Sequence, residues 1–199
     1  MQPIFLVVGG PGVGKSTTSR ALAAVFPRSI HVPVDDLRHM VVSGLALPSP
    51  DWGEELVRQI RLAREAAVRL AEAYAGAGFA VVLDDFFDPH GLVEYRDLLG
   101  RPGTVGVVLF PTAEEARRRS RLRATGDEAQ YIDMAVGHSY SVLGPAVGGL
   151  AEAGWLVLDT TDMEVAEVVA AILERVPPPG LPGGCSYVKR RVLGGWCAG

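Results

Sequence analysis

Apolar residues follow two rhythms along this chain. Short, largely apolar runs end at glycine or aspartate: Ile4–Val8, Ser29–Val34, Phe79–Leu83, Thr104–Phe110 and Trp155–Leu158. Runs of this kind predict strands covered on both faces. Helical patterns lie between them. Lys15–Phe26 is the first. Leu56, Ile60, Ala63, Ala67, Leu70 and Tyr74 then recur at 4-3-4-3-4 spacing, which makes one apolar stripe on a long helix closed by Gly76 and Gly78. Glu54/Arg58, Arg61/Glu65 and Glu65/Arg69 have i,i+4 spacing, so the arginines of this helix read as a solvated face.

Further elements follow. Leu92–Leu99 predicts a short helix. Thr112-Ala113-Glu114-Glu115 is a capping box that opens a helix bearing Arg117, Arg118, Arg119, Arg121 and Arg123, with a break at Gly126. Glu128–Leu143 and Met163–Val176 predict two more helices, the last with Asp162 as N-cap. Leu37–Asp51 is broken by Gly44, Pro48 and Pro50 and reads as a loop with a helical turn. Strands alternate with helices throughout. The expected architecture is therefore α/β, a five-stranded parallel sheet with helices on both faces, in one domain over residues 1–176. Residues 177–199 are rich in proline and glycine and read as a flexible tail.

Composition narrows the function. Of 199 residues, 48% are hydrophobic and 21% charged, enough for a sizeable core. No apolar run is long enough to cross a bilayer, and Met1–Gly9 lacks the basic flank of a secretory signal, so a cytoplasmic protein with no membrane partner is expected. The two cysteines, Cys185 and Cys197, fall in the tail and make no disulfide framework or zinc pattern. His31, His39, His90 and His138 are scattered and read as surface or packing residues. Net charge is −4, and residues 1–176 carry 16 basic against 23 acidic side chains, or −7. Such a balance leaves room for a local basic patch at most and disfavours a grip on long nucleic acid.

Gly9-Gly10-Pro11-Gly12-Val13-Gly14-Lys15-Ser16 matches G-x-x-x-x-G-K-[ST] in full, after a buried strand and before a helix. Backbone N–H groups of Gly10, Gly12, Val13 and Gly14 can curl around phosphate oxygens. The helix start adds its positive end. Lys15 reaches the β- and γ-phosphates, the Ser16 hydroxyl can ligate Mg²⁺, and Thr17 is placed for the α-phosphate. The expected cofactors are ATP and Mg²⁺.

Two acidic pairs stand where ligands of open α/β sheets bind, beyond the carboxyl ends of strands. Asp84-Asp85 follows the third run, and one of these acids is expected to hold Mg²⁺. Asp35-Asp36 closes the second, where a carboxylate can take the proton of an attacking hydroxyl. Arg38 is expected to face the same cleft, as an acceptor-binding group beside Asp36. The cluster Arg117–Arg123 can stabilise charge on a transferring phosphoryl group.

Residues 9–17, Val34-Asp35-Asp36-Leu37-Arg38, Val81–Asp85 and Arg117–Gly126 occur in this order. Together they resemble the nucleoside-kinase-like P-loop family, which includes the kinase domain of bacteriophage polynucleotide kinase, zeta toxins, chloramphenicol phosphotransferase and gluconate kinase. The resemblance covers roughly residues 3–175. It implies a three-layer P-loop NTPase fold with a LID segment after the fourth strand. It implies Asp35 as general base, Arg38 on the acceptor, Arg118 near the adenine or phosphates, and Arg121 or Arg123 as the LID arginine. Thr160-Thr161 is implied to lie near the adenine. The expected activity is ATP-dependent phosphoryl transfer to a hydroxyl of a small molecule. Two alternatives stand: a polynucleotide 5′-hydroxyl or toxin-type kinase, and a nucleotide-switch ATPase without acceptor chemistry.

Overall fold

The computed structural model describes residues 2–47, 53–87, 92–122 and 129–175. Arg123, Gly126, Glu128, His90, the segment Pro48–Asp51 and the tail with its two cysteines lie outside the described residues. Five strands form one sheet: β1 (Ile4–Gly9), β2 (Ser29–Pro33), β3 (Ala80–Phe86), β4 (Thr104–Leu109) and β5 (Leu156–Leu158). Their order is β2-β3-β1-β4-β5, and every pairing is parallel. The helices are α1 (Lys15–Ala23), α2 (Val34–His39), α3 (Glu54–Gly76), α4 (Arg96–Leu99), α5 (Ala113–Arg121), α6 (Ala129–Glu152) and α7 (Val165–Arg175). A 3-10 turn, Leu92–Tyr95, leads into α4.

The strands are apolar on both sides because both faces are covered. Phe5, Val7, Ala80, Val82, Val107 and Leu109 point to a layer made by Leu22 and Ala23 of α1, Ala116 of α5, Val136 of α6 and Val168–Leu173 of α7. Ile4, Leu6, Val8, Val81, Leu83 and Val108 point the other way, to Ala63, Ala67 and Ala71 of α3 and to Tyr95 and Leu98. Leu143 joins this second layer, so α6 serves both faces. Pro145 inside α6 cannot donate to the carbonyl four residues back.

Several elements depart from the sequence expectation. Asp35 and Asp36 do not close β2. The strand stops at Pro33, and both acids sit in the first turn of α2, where carboxylates favour a helix N-terminus. β3 runs through Asp84 and Asp85 to Phe86. The helix expected to stop at Leu143 continues to Glu152 because its second half buries apolar residues of its own. Asp162 does not cap α7. Glu164 precedes the helix, and its N–H donates to Glu167 Oε2 at 2.8 Å, half of a capping box. At Thr112 the expected cap is present: its Oγ1 accepts from Glu115 N at 3.3 Å.

The long helix keeps its stripe and one of its three expected pairs, Glu65 with Arg69 at 3.9 Å. Leu56, Ile60, Ala63 and Ala67 are buried, and the stripe then ends on Ala71, with Tyr74 turned out to meet Phe79 edge-on at 5.5 Å. Arg58 pairs with Glu55 and not Glu54, and Arg61 with Glu94 and not Glu65. Arg64 contradicts the solvated-face reading altogether: it is fully buried.

Candidate functional site

The strand order reverses beside β1, and the glycine-rich turn Gly10–Gly14 lies at that point, past its carboxyl end. Gly12 and Gly14 have φ of +74° and +98°, values glycine adopts without steric cost. Gly12 is also pinched from outside: a Cβ there would lie 2.1 Å from Ser120 Oγ and 2.3 Å from the Ala116 carbonyl oxygen. A Cβ on Gly10 would meet Ser139 Oγ at 2.6 Å. Helices α5 and α6 therefore lie directly on the turn. Gly14 is the N-cap of α1 and supplies no side-chain cap, and the first turn of α1 has no acid. The positive helix end faces the turn with no acid in its own first turn to offset it. Lys15 Nζ donates to the Gly10 carbonyl at 2.9 Å, folding the ammonium back over the turn.

The two acids of β3 part company. Successive residues of a strand face opposite sides. Asp84 follows Ala80 and Val82 toward the α1 layer, and Asp85 follows Val81 and Leu83 toward the α3 layer. Asp84 accepts from Ser16 Oγ on Oδ1 at 3.2 Å and from His31 Nε2 on Oδ2. Asp85 accepts on Oδ2 from Arg64 Nε at 2.6 Å and Tyr95 OH at 2.9 Å, and on Oδ1 from the Phe86 N–H at 2.8 Å. Arg64 also reaches the Phe86 carbonyl at 3.4 Å and lies over the Phe86 ring at 4.8 Å. Burial pushes the Asp85 carboxyl up to about 6 against the pull of Arg64, and the Asp35 charge adds a smaller push in the same direction. Burial also raises the Tyr95 phenol, beside the Asp85 charge.

Asp35 and Asp36 are exposed at the start of α2. Arg38 is buried, and its Nη1 donates to the Ala46 carbonyl at 2.8 Å, so it braces the segment after α2. Gln59 of α3 holds the same segment, accepting from Ala46 N at 3.0 Å and donating to the Gly44 carbonyl at 2.8 Å.

The four described arginines of the cluster differ sharply. Arg119 is the bracing one: it donates to Glu115 at 2.7 Å, the Val13 carbonyl at 3.4 Å, and the Thr160 and Thr161 carbonyls at 2.8 and 3.2 Å. It joins the phosphate-loop turn, α5 and the segment after β5. Arg118 pairs with Glu115 at the surface, at 2.6 and 2.7 Å, which lowers the Glu115 carboxyl to about 2. Arg121 donates to both oxygens of Asp133 at 2.7 Å, and Arg117 stands 3.8 Å from the same acid. Thr161 Oγ1 accepts from Thr112 N at 2.8 Å, while the Thr160 hydroxyl is buried.

Three residues at the site were not singled out from the sequence. His31 had a signal: a polar residue inside an apolar strand. Arg64 had one too, since it falls on the Ile60–Ala67 stripe. Arg119 had none that set it apart from its four neighbours.

Comparison with known proteins agrees with this fold. A UPF0200 protein of Aeropyrum pernix is 28% identical over 188 residues, 87% of this chain and 92% of that protein. Shikimate kinase from Bacteroides thetaiotaomicron superposes with a TM-score of 0.63 at 16% identity, over 87% of this chain and 97% of the other. A gluconokinase from Sinorhizobium meliloti 1021 does so with a TM-score of 0.53 at 19% identity, over 86% and 90%. These structures share the three-layer P-loop kinase fold. The family model described as "AAA domain" matches residues 4–140, more than half of the chain, and spans the phosphate-loop turn, both acidic pairs and the arginine helix: this protein belongs to that AAA domain family.

Proposed function

We propose that this protein is an ATP-dependent kinase that transfers the γ-phosphoryl group to a hydroxyl of a small molecule. The observation that carries the reading is the Ser16–Asp84 contact at 3.2 Å, directly below a complete glycine-rich turn. A hydroxyl and a carboxylate oxygen side by side fit Mg²⁺, which takes one or two protein oxygens and completes its shell with water and phosphate. Asp85 is already saturated by Arg64, Tyr95 and Phe86, so the metal role goes to Ser16 and Asp84. Bound Mg²⁺ supplies charge neutralisation along the β- and γ-phosphates.

The remaining roles belong to this chain's own residues. The N–H groups of Gly10, Gly12, Val13 and Gly14 hold the phosphates, Lys15 leaves the Gly10 carbonyl for the β- and γ-oxygens, and Thr17 meets the α-phosphate. Asp35 takes the proton from the acceptor hydroxyl as its oxygen attacks the γ-phosphorus. The bond to the β–γ bridging oxygen breaks, and ADP leaves. Asp36 and Arg38 form the acceptor side, with Arg38 acting through the segment it braces. Arg118 faces the nucleotide, and Arg121 or Arg123 stabilises transferred charge from a LID after β4. The nucleoside-kinase-like resemblance supports these assignments, as does the kinase character of the structural neighbours. The acidic balance favours a small acceptor over a polynucleotide.

A screen with γ-labelled ATP against sugars, polyols, nucleosides and antibiotics tests this. Label is expected on an acceptor hydroxyl, and Asp35→Asn is expected to remove transfer while leaving ATP affinity intact. ATP turnover that survives Asp35→Asn with no acceptor present would overturn the reading in favour of a nucleotide switch.

A further inference from the structure

We infer that His31 is a positioning residue for the metal-side carboxylate: its Nε2–H holds Asp84 so that the other oxygen of that carboxylate faces Ser16. The inference rests on the kinase reading above and deepens it. His31 lies in the middle of β2, between Ile30 and Val32, a place where an apolar residue would pack at no polar cost. Its side chain is 12% exposed and that of Asp84 is 7% exposed. An ionised carboxylate can only accept, so the ring nitrogen facing it carries the proton. The geometry therefore makes His31 Nε2 the donor toward Asp84.

The geometry gives this contact a function that a packing histidine lacks. Asp84 has two oxygens and a rotatable carboxylate. Ser16 Oγ touches Oδ1 and His31 touches Oδ2, so the carboxylate is gripped from both sides and cannot turn. Ser16 belongs to α1, Asp84 to β3 and His31 to β2, so three separate elements meet at one carboxyl group. The β2 chain then continues from His31 through Val32, Pro33 and Val34 to Asp35. The strand that orients the metal carboxylate thus also delivers the proposed base, and β2 pairs with β3 in register, Val32 opposite Leu83 and Pro33 opposite Asp84. Hydrogen-bond partners behind a metal ligand fix its orientation, and losing one typically costs 10–100-fold in metal affinity.

The test is calorimetric and does not require the acceptor to be known. ATP affinity is measured with Mg²⁺ and with EDTA for the parent, His31→Phe, His31→Gln and His31→Asn, with thermal melts to confirm folding. Gln carries an N–H at the position of Nε2, and Asn carries one at the position of Nδ1. His31→Phe and His31→Asn are expected to lose about tenfold of the Mg²⁺-dependent gain in affinity. Their EDTA affinity should be unchanged. His31→Gln should keep the gain to within about threefold. A full gain in His31→Phe, or equal loss in the Gln and Asn variants, overturns the inference and leaves His31 as packing. A parent that shows no ATP binding at all overturns the kinase reading itself, and this inference with it.

Discussion

Arg64 and Asp85 meet at 2.6 Å with side-chain exposures of 1% and 0%, linking the middle of α3 to the carboxyl end of β3. Both charges have left water and meet each other there, while Tyr95 OH and the Phe86 N–H also bond Asp85 and Glu94 stands 3.8 Å from Arg64. Removing one partner of such a pair typically costs about 3–5 kcal/mol, because the survivor is left buried without its countercharge. Arg64→Met is expected to destabilise the fold by that amount in urea titrations. The double variant Arg64→Met/Asp85→Asn should cost clearly less than the sum of the two single changes. Strict additivity would mean that the pair is not coupled.

The same carboxyl sets a pH dependence. Asp85 is pushed up to about 6 in the folded chain, against about 3.9 for an ordinary aspartate. The folded state therefore binds this proton more tightly than the unfolded state. Its stabilising contribution is complete below about pH 4 and is lost as pH rises through about 6, a span worth about 3 kcal/mol. Urea midpoints of the parent and Asp85→Asn, compared from pH 4 to pH 7, should show the parent's relative stability falling with pH. A flat difference would mean that Arg64 offsets the burial completely.

Gly12 is held by contact as well as by its dihedral angle. A methyl group there would clash with the Ala116 carbonyl of α5 and would sit on a φ of +74°. Gly12→Ala is expected to cost at least about 2 kcal/mol in stability and to abolish ATP binding. Adding Ser120→Ala should not restore it, because the backbone oxygen remains. Rescue by Ser120→Ala would show that α5 can retreat from the turn.

Lys15 and Asp84 separate the two halves of nucleotide binding. Lys15→Ala is expected to remove ATP binding with or without Mg²⁺ in calorimetry. Asp84→Asn should leave binding in EDTA and remove the Mg²⁺-dependent gain. Equal heats from Lys15→Ala and the parent would exclude the turn as the triphosphate site.

Arg119 joins α5 to the phosphate-loop turn and to the segment after β5 through backbone carbonyls, with its charge paired to Glu115. Arg119→Lys keeps the charge but not the fork that spans Val13, Thr160 and Thr161. It is expected to weaken ATP binding nearly as much as Arg119→Ala does. Full activity in the Lys variant would show that charge alone matters there.

Much of the fold could be read along the chain, because its cause is local. Short apolar runs bounded by glycine and aspartate mark covered strands, and the Leu56–Ala67 spacing marks a helix face. The turn at Gly9–Ser16 combines a strand end, positive-φ glycines and a helix start within eight neighbouring residues, so nothing distant is needed to recognise it. The errors came where a distant neighbour decides. Arg64 looks like one more helix-surface arginine until Asp85, 21 positions later, is seen to take it inside. Arg118 and Arg119 are adjacent, yet the first stays in solvent and the second crosses to residues 106 positions before it and 41 positions after it.

Sequence alone therefore determined the alternation of the five strands with the longer helices, the phosphate-loop turn and the presence of two acids at the end of β3. Only the tertiary structure decided which acid does what. A strand alternates its side chains with a period of two, so adjacent aspartates must face opposite layers. Which layer holds Ser16 and His31, and which holds Arg64 and Tyr95, depends on how α1, β2, α3 and the 3-10 turn pack around the sheet, and no local pattern encodes that.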